Sequence, residues 1–409
     1  MSGGATERVE VAVVGGGLAG AATGALLAGL GHEVVVLERA PRWRWRACGV
    51  FASPAGVTAL RRLGLTDVDL LDLAEPVPAM RVESRRGVAF RLTYDGTGRL
   101  ADSPVGFDRE ALDESLLERA RRAGARVERG AAVDAVDIEG PHPRLTLAAT
   151  AHAAPQSMDA TVVVGADGLR SIVARGARAD ARVPNPGRTA LTFHVPAADA
   201  GAAPGSDARM VVLDDGYVGL APVPGGRLNV GIVLGRSWQT RIRDRGAASV
   251  AAEILAGATG RRTDTGKLAV LDRVAGVRPV SAAVERRAGD GWLVVGDAAG
   301  FLDPFTGEGI HRALVSADLA AGVIHDALTG RPGARLTAYD AAMGSRFGTK
   351  DLVSRLVQAF LGRPAMFEYT ARRLAARQGI RDTMGRVIGD LEPARHALDP
   401  RFLAALLAP

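Results

Sequence analysis

Between residues 296 and 314 the chain reads GDAAGFLDPFTGEGIHRAL. Asp297 offers a carboxylate just after the apolar run Trp292–Val295, and Gly307, Gly309 and Ile310 open a segment in which Ile310, Ala313, Leu314, Ala317, Ala321, Ile324 and Leu328 recur at helical spacing. A strand, a turn and a helix start are expected there. A glycine-rich helix entry leaves backbone N–H groups free and aims the positive end of the helix dipole forward, which suits an anion or an electron-rich ring. The same Gly and Pro residues also suit a plain tight connection.

A second glycine group lies near the N terminus. Val9–Val14 reads as a buried strand, Gly15-Gly16-Gly17-Leu18-Ala19-Gly20 opens a helix from Ala21 to Leu30, and Val34–Leu37 forms a strand ending at Glu38. In this βαβ unit Gly15 permits the tight turn, Gly17 lets the backbone approach a pyrophosphate, and Gly20 lets the helix pack on the sheet. Glu38 accepts from ribose hydroxyls, with Ala19 in the turn and Arg39 beside the acid. An acid at position 38 argues against a 2′-phosphate, which leaves FAD or NAD.

A third strand, Val162–Gly165, runs into Asp167-Gly168, and Leu293 leads to Asp297. Three strand ends so far apart in sequence suit an extended FAD better than a nicotinamide cofactor. Asp297 is then placed to accept from the ribityl chain, and the amides of Gly307, Gly309 and Ile310 face the isoalloxazine ring, whose negative charge on reduction the helix N-terminus stabilises.

These residues resemble the FAD-dependent oxidoreductases built like p-hydroxybenzoate hydroxylase, and within them the geranylgeranyl reductase-like group. Gly300 follows Gly296-Asp297-Ala298-Ala299 where the aromatic hydroxylases have His, and Thr306-Gly307-Glu308-Gly309-Ile310 and Arg46-Ala47-Cys48-Gly49 match the reductase-like form. The likeness spans about residues 8 to 345. It implies tightly held FAD, NADPH, NADH or a partner flavin reductase as electron donor, and an apolar small-molecule substrate. It also implies that Cys48 and Gly49 lie at the flavin, Arg109 near the pyrophosphate, Val133 at the end of a strand 126–133 near the adenine, and Asp167-Gly168 at the cofactor.

The fold expected is α/β: a Rossmann-like FAD-binding domain (1–175 with 286–330), an inserted antiparallel β-sheet substrate domain (176–285) and a C-terminal helical extension (331–409). Apolar runs at 190–195, 209–213, 217–223 and 228–234 supply strands of the inserted sheet, and Asp214-Asp215-Gly216 and Pro224-Gly225-Gly226 supply its turns. The geranylgeranyl reductases carry a Tyr-x-Trp-x-Phe-Pro strand over the substrate. Here it reads Tyr217-Val218-Gly219-Leu220-Ala221-Pro222, which removes on the order of 300 Å² of aromatic surface. A wide chamber lined by His194, Tyr217, Gly219 and Ala221 follows, suited to a bulky natural-product intermediate.

No nucleophile elbow, zinc-protease motif or P-loop is present, and the seven histidines are too scattered for a metal site. A bound flavin must then carry the chemistry, with Cys48, His194 and His311 as the candidate participants. Hydride transfer to or from carbon is the first reading. FAD-dependent monooxygenation is its alternative, and a flavin-binding protein with a non-redox role such as a pericyclase is a reading from another class.

The net charge of +6 is carried almost wholly by arginine, with lysine only at 267 and 350. The arginines are spread along the chain, which speaks against nucleic-acid binding. Arg42-Trp43-Arg44-Trp45-Arg46 suits a phosphate or a membrane surface and leaves peripheral membrane contact open. One cysteine excludes an intrachain disulfide, and the chain shows neither a signal pattern nor an 18-residue uncharged apolar stretch. A cytoplasmic protein is expected, of a size that leaves its oligomeric state open.

Overall fold

A computed structural model of the chain describes residues 7–94, 103–149, 156–181, 183–184, 186–260 and 270–407. Its central strand, β1 (Glu7–Val14), has parallel neighbours on both sides, β2 (Val34–Glu38) and β11 (Gln156–Gly165). The sheet continues through β8 (Arg126–Arg129) beyond β2, and through β18 (Trp292–Val294) and β17 (Ala288–Gly289) beyond β11. Valine-rich runs buried on both faces are what such a parallel sheet demands. The helices Leu18–Gly29, Arg109–Arg122 and Gly309–Leu328 bury their apolar faces in its core. In register, Val14 pairs with Gly165 and Gly165 with Val294. The C-terminal ends of β1, β11 and β18 therefore open side by side, although the sequence holds them far apart.

β9 (Val133–Asp137) and β10 (Arg144–Leu147) extend β11 as an antiparallel hairpin. The single strand expected over 126–133 is broken at Gly130, whose φ of +77° turns the chain. Val133 thus begins the next strand, buried opposite Leu147, and the segment against the end of β2 is Ala131, whose N–H donates to Glu38 O.

A second sheet runs β16 (Ala275–Val277), β12 (Thr189–Pro196), β15 (Arg227–Leu234), β14 (Gly216–Val223), β13 (Ala208–Leu213), β5 (Ala79–Glu83) and β6 (Ala89–Thr93). The four expected strands are here within two residues of their bounds. The sheet is not confined to 176–285, however, because β5 joins β13 in parallel and brings β6 with it. Alternation sorts its two faces. Phe193, Val218, Val230 and Ile232 pack on the helix Ala247–Thr259, whereas Thr192, His194, Gly219, Ala221, Asn229 and Gly231 point the other way.

A small sheet of β3 (Phe51–Ala52), β7 (Val105–Phe107) and β4 (Ala74–Pro76) joins the two bodies. At Gly106 an added Cβ would stand 1.9 Å from Pro222 O, so only glycine lets β7 meet β14. The helices Ala338–Leu361, Pro364–Ala376, Gln378–Ile388 and Pro400–Leu407 close over the β6–β13 end through Val353, Phe367 and Val387 against Phe90 and Leu92. Among the described residues no helix is long and apolar enough to cross a membrane.

Candidate active site

Three glycines at the tip of β1 have different reasons to be there. At Gly15, with φ +105°, an added Cβ would lie 2.5 Å from Ala166 O, and at Gly20 it would lie 1.9 Å from Gly15 O. The chain's own packing requires both. At Gly17 an added Cβ would meet only Arg46 Nη2, at 3.4 Å. No side chain caps the helix that Gly17 begins, so its bare N-terminus is open space rather than a packed contact. Ala19 is buried in the first turn and Arg39 is exposed. Glu38 ends β2 with Oε2 accepting from Gly16 N (2.8 Å) and Oε1 from Ala40 N (2.9 Å).

Gly168, with φ +78°, turns the chain beyond β11. Asp167 Oδ2 accepts from Ile172 N at 2.5 Å, while Oδ1 is sealed from solvent with no partner among the described residues. Burial pushes this carboxyl up, against the bonds from Ser171 and Ile172. Asp297, on the turn after β18, is likewise pushed up by burial, opposed by Arg109 and Arg312.

Asp113 ties the loop after β2 to the helix Arg109–Arg122. It accepts from Arg46 Nη2 (2.7 Å), Arg109 Nη2 (2.9 Å) and Trp43 Nε1 (3.2 Å), and Arg109 Nη1 also donates to Gly49 O at 2.5 Å. Arg109, expected at a pyrophosphate, is thus buried and committed to holding residues 46–49. Those residues include Cys48, whose thiol burial pushes up while Arg109 and Arg46 oppose it. Both tryptophans of the Arg-Trp repeat turn inward, Trp45 donating to Thr192 O at 3.1 Å.

The turn between Asp297 and the helix at Gly309 is braced from the second sheet. Asp303 accepts from Tyr217 OH (2.6 Å) and Phe305 N (3.0 Å), and it pairs with Arg188, which also donates to Gln358 Oε1 (2.7 Å). The Tyr217 and Phe305 rings meet edge to face at 5.0 Å. Tyr217, expected to line the chamber, also braces this turn through Asp303. Gly307, with φ +69°, fits where an added Cβ would press Phe51 at 2.6 Å. His311 faces away from the turn: its Nδ1 lies 2.8 Å from Asp390 Oδ2 and its Nε2 3.3 Å from Arg346 Nη2. Its position one residue after Ile310 rotates it about 100° round the helix, toward the C-terminal helices.

The open face of the second sheet lies between these groups. Gly219 stands directly opposite Gly231, and the atoms nearest its added Cβ are Met210 Cε at 3.6 Å and Gly231 O at 3.8 Å. Ala221 and Asn229 are opposed in the next row, and Asn229 is opposed to His194 beyond. His194 Nδ1 lies 2.6 Å from Asp272 Oδ2, and its ring lies 4.4 Å from that of Trp45. Sequence reading missed Asp113, Asp272, Asp303 and Asn229. Asp303, in an Asp-Pro turn, and Asp113, four residues after Arg109 on one helix, carried a local signal.

Three parallel strand ends stand beside an uncapped helix N-terminus, the arrangement that holds an extended dinucleotide, and the chain is an FAD-dependent oxidoreductase of the α/β class. The chain belongs to the family described as FAD binding domain, whose model matches residues 8–347. It is 28% identical over 339 residues to the digeranylgeranylglycerophospholipid reductase of Methanothrix thermoacetophila, covering 79% of each chain. Its fold is similar to a geranylgeranyl bacteriochlorophyll reductase-like protein from Thermoplasma acidophilum (TM-score 0.77, 23% identity, 98% and 99% of the two chains). It is also similar to the flavin-dependent halogenase CmlS (TM-score 0.69, 25% identity), covering 90% of this chain and 65% of the halogenase. The residues present fit FAD: the clear space at Gly17, the uncapped helix and the unpartnered Asp167 Oδ1 are each explained by a polar ligand along the three strand ends.

Gly17→Val separates folding from binding. Because an added Cβ there meets only the end of a flexible arginine, the variant is expected to keep its thermal midpoint as apoprotein and to purify with less than about a tenth of the wild-type flavin. Flavin released on heat denaturation measures it, and full retention would refute the assignment of Gly17 to the cofactor.

Proposed function

We propose that the protein transfers hydride to or from carbon of a bulky apolar small molecule held on the open face of the second sheet. Gly15, Gly17, Ala19, Gly20 and Glu38 would hold the nucleotide end of FAD, with Arg39 at its edge. Asp167, Gly168 and Asp297 would hold the middle, and Cys48, Gly49, Gly307, Gly309 and Ile310 would border the ring. Bound FAD supplies two-electron redox chemistry. The protein's own part is positioning: Asp113 holds the 46–49 loop, Asp303 holds the facing turn, and the sheet excludes water over both.

The observation that carries the substrate reading is the Gly219–Gly231 pair. Two bare positions face each other on a surface otherwise walled by Trp45, Met210, Tyr217 and Phe305, which leaves room for a broad ring system rather than a slender chain. The relatives named as reductases support hydride chemistry. NADPH, NADH or a partner flavin reductase would supply the electrons.

Anaerobic mixing of the holoprotein with NADH or NADPH, followed by oxygen while the flavin spectrum is recorded, tests the reaction type. Reduction by one nicotinamide and reoxidation without labelled oxygen entering product are expected; incorporation of label from molecular oxygen would make it a monooxygenase. Gly219→Trp is expected to abolish turnover with flavin content unchanged. Efficient reduction of geranylgeranyl chains by the wild type would overturn the reading of a wide chamber.

A further inference from the structure

His194 and Asn229 face each other across β12 and β15 on the open sheet face, 5% and 6% exposed. Each has one side of its polar group committed. Asp272 contacts His194 Nδ1 at 2.6 Å and also accepts from His194 N at 2.9 Å. A carboxylate only accepts, so the neutral ring carries its proton on Nδ1 and presents Nε2 as an acceptor. Burial holds this imidazole below its ordinary range, with Asp272 opposing and Arg227 and Asp108 acting from nearby.

Asn229 is oriented in the same way. Thr192 Oγ1 donates to its Oδ1 at 3.2 Å, which turns the amide Nδ2 toward the glycine floor, 3.9 Å from where a Cβ of Gly231 would stand. Among the described residues no protein atom hydrogen-bonds His194 Nε2 or Asn229 Nδ2. Neither atom is among the sealed polar atoms that lack a partner, so both reach accessible space on this face, and together they complement a group that donates and accepts at once.

We infer that the substrate carries a ring hydroxyl, its O–H donated to His194 Nε2 and its oxygen accepting from Asn229 Nδ2, with the ring over Gly219 and Gly231. A hydrocarbon or an ether would leave the histidine unsatisfied. The inference rests on the proposed use of this face as the substrate chamber, and it names the class of molecule that enters.

Equilibrium dialysis of the FAD-loaded protein against 2-naphthol and 2-methoxynaphthalene tests it without turnover. The naphthol is expected to bind at least about tenfold more tightly. In Asp272→Asn the amide oxygen still accepts from His194 N while its NH2 donates to Nδ1, which moves the ring proton to Nε2 and turns the acceptor into a donor. That variant is expected to lose or invert the preference with flavin content unchanged. Equal affinities in the wild type, an unchanged preference in Asp272→Asn, or no saturable binding of either probe would overturn the inference. A hydroxyl preference without hydride transfer would instead overturn the proposed reaction alone.

Discussion

Asp113→Ala is expected to destabilise the protein by about 3–5 kcal/mol and to yield it without flavin. Asp113 is 1% exposed and is the shared acceptor of Arg46, Arg109 and Trp43. Its removal leaves the Arg109 guanidinium in the interior with Gly49 O as its remaining hydrogen-bond acceptor among the described residues, and a buried charge without its ion-pair partner is among the largest single-residue penalties. The same change unmoors the segment 46–49, which the proposed site needs against the ring. Asp113→Asn keeps one acceptor oxygen and should fall between the two. Urea unfolding and flavin content measure both effects, and wild-type values for Asp113→Ala would show that the cluster holds nothing.

Lys350→Met should be comparably costly, about 3–5 kcal/mol. The Lys350 ammonium is buried and donates to Val387 O (2.5 Å), Ile388 O (3.2 Å) and Asp390 Oδ1 (3.1 Å), with Glu308 Oε1 at 3.5 Å. In a chain with one other lysine and otherwise arginine, a compact three-donor group suits two successive helix-end carbonyls and a carboxylate where a planar fork does not. Lys350→Arg is therefore not conservative here.

Burial would raise the Asp390 carboxyl, but His311 and Lys350 outweigh it and hold it down to about 2. A depressed folded-state value gives stability that is complete above about 4 and is lost as the pH falls toward 2, because the unfolded chain takes up the proton first. Without Lys350, Glu308 and Asp390 face each other with less compensation and are stabilised by protonation. The stability gap between wild type and Lys350→Met should accordingly narrow from pH 7 to pH 4 in urea titrations. A gap that widens would contradict the arrangement.

The parallel sheet was readable because both-face burial writes itself as unbroken valine runs, and because the glycine turn and Glu38 follow at fixed distances. The four strands between 189 and 234 were readable from alternation. β5 and β6 alternate as well, with Met80 and Val82 against Phe90 and Leu92, but nothing local says that β5 pairs with β13 more than 120 residues later. The ends of the candidate site were legible as motifs, whereas its supports were not. Asp113 lies 67 residues from Arg46, and Asp272 lies 78 from His194, so neither partner marks the other in sequence. Tyr217 was read from its strand alone, and its bond to Asp303 exists only once the glycine turn folds against that strand.

The pairing of Gly219 with Gly231 also bears on how such a protein diversifies. The sheet that carries them is stitched into the rest of the chain by β5, β6 and the C-terminal helices, so it cannot be lifted out and exchanged as a cassette for another recognition module. Selection has to act in place, by changing side-chain volume at opposed positions on two neighbouring strands while the hydrogen-bonded ladder beneath stays untouched. Because glycine at both positions leaves the proposed chamber at its largest, every single substitution there moves in one direction, toward a narrower range of accepted molecules.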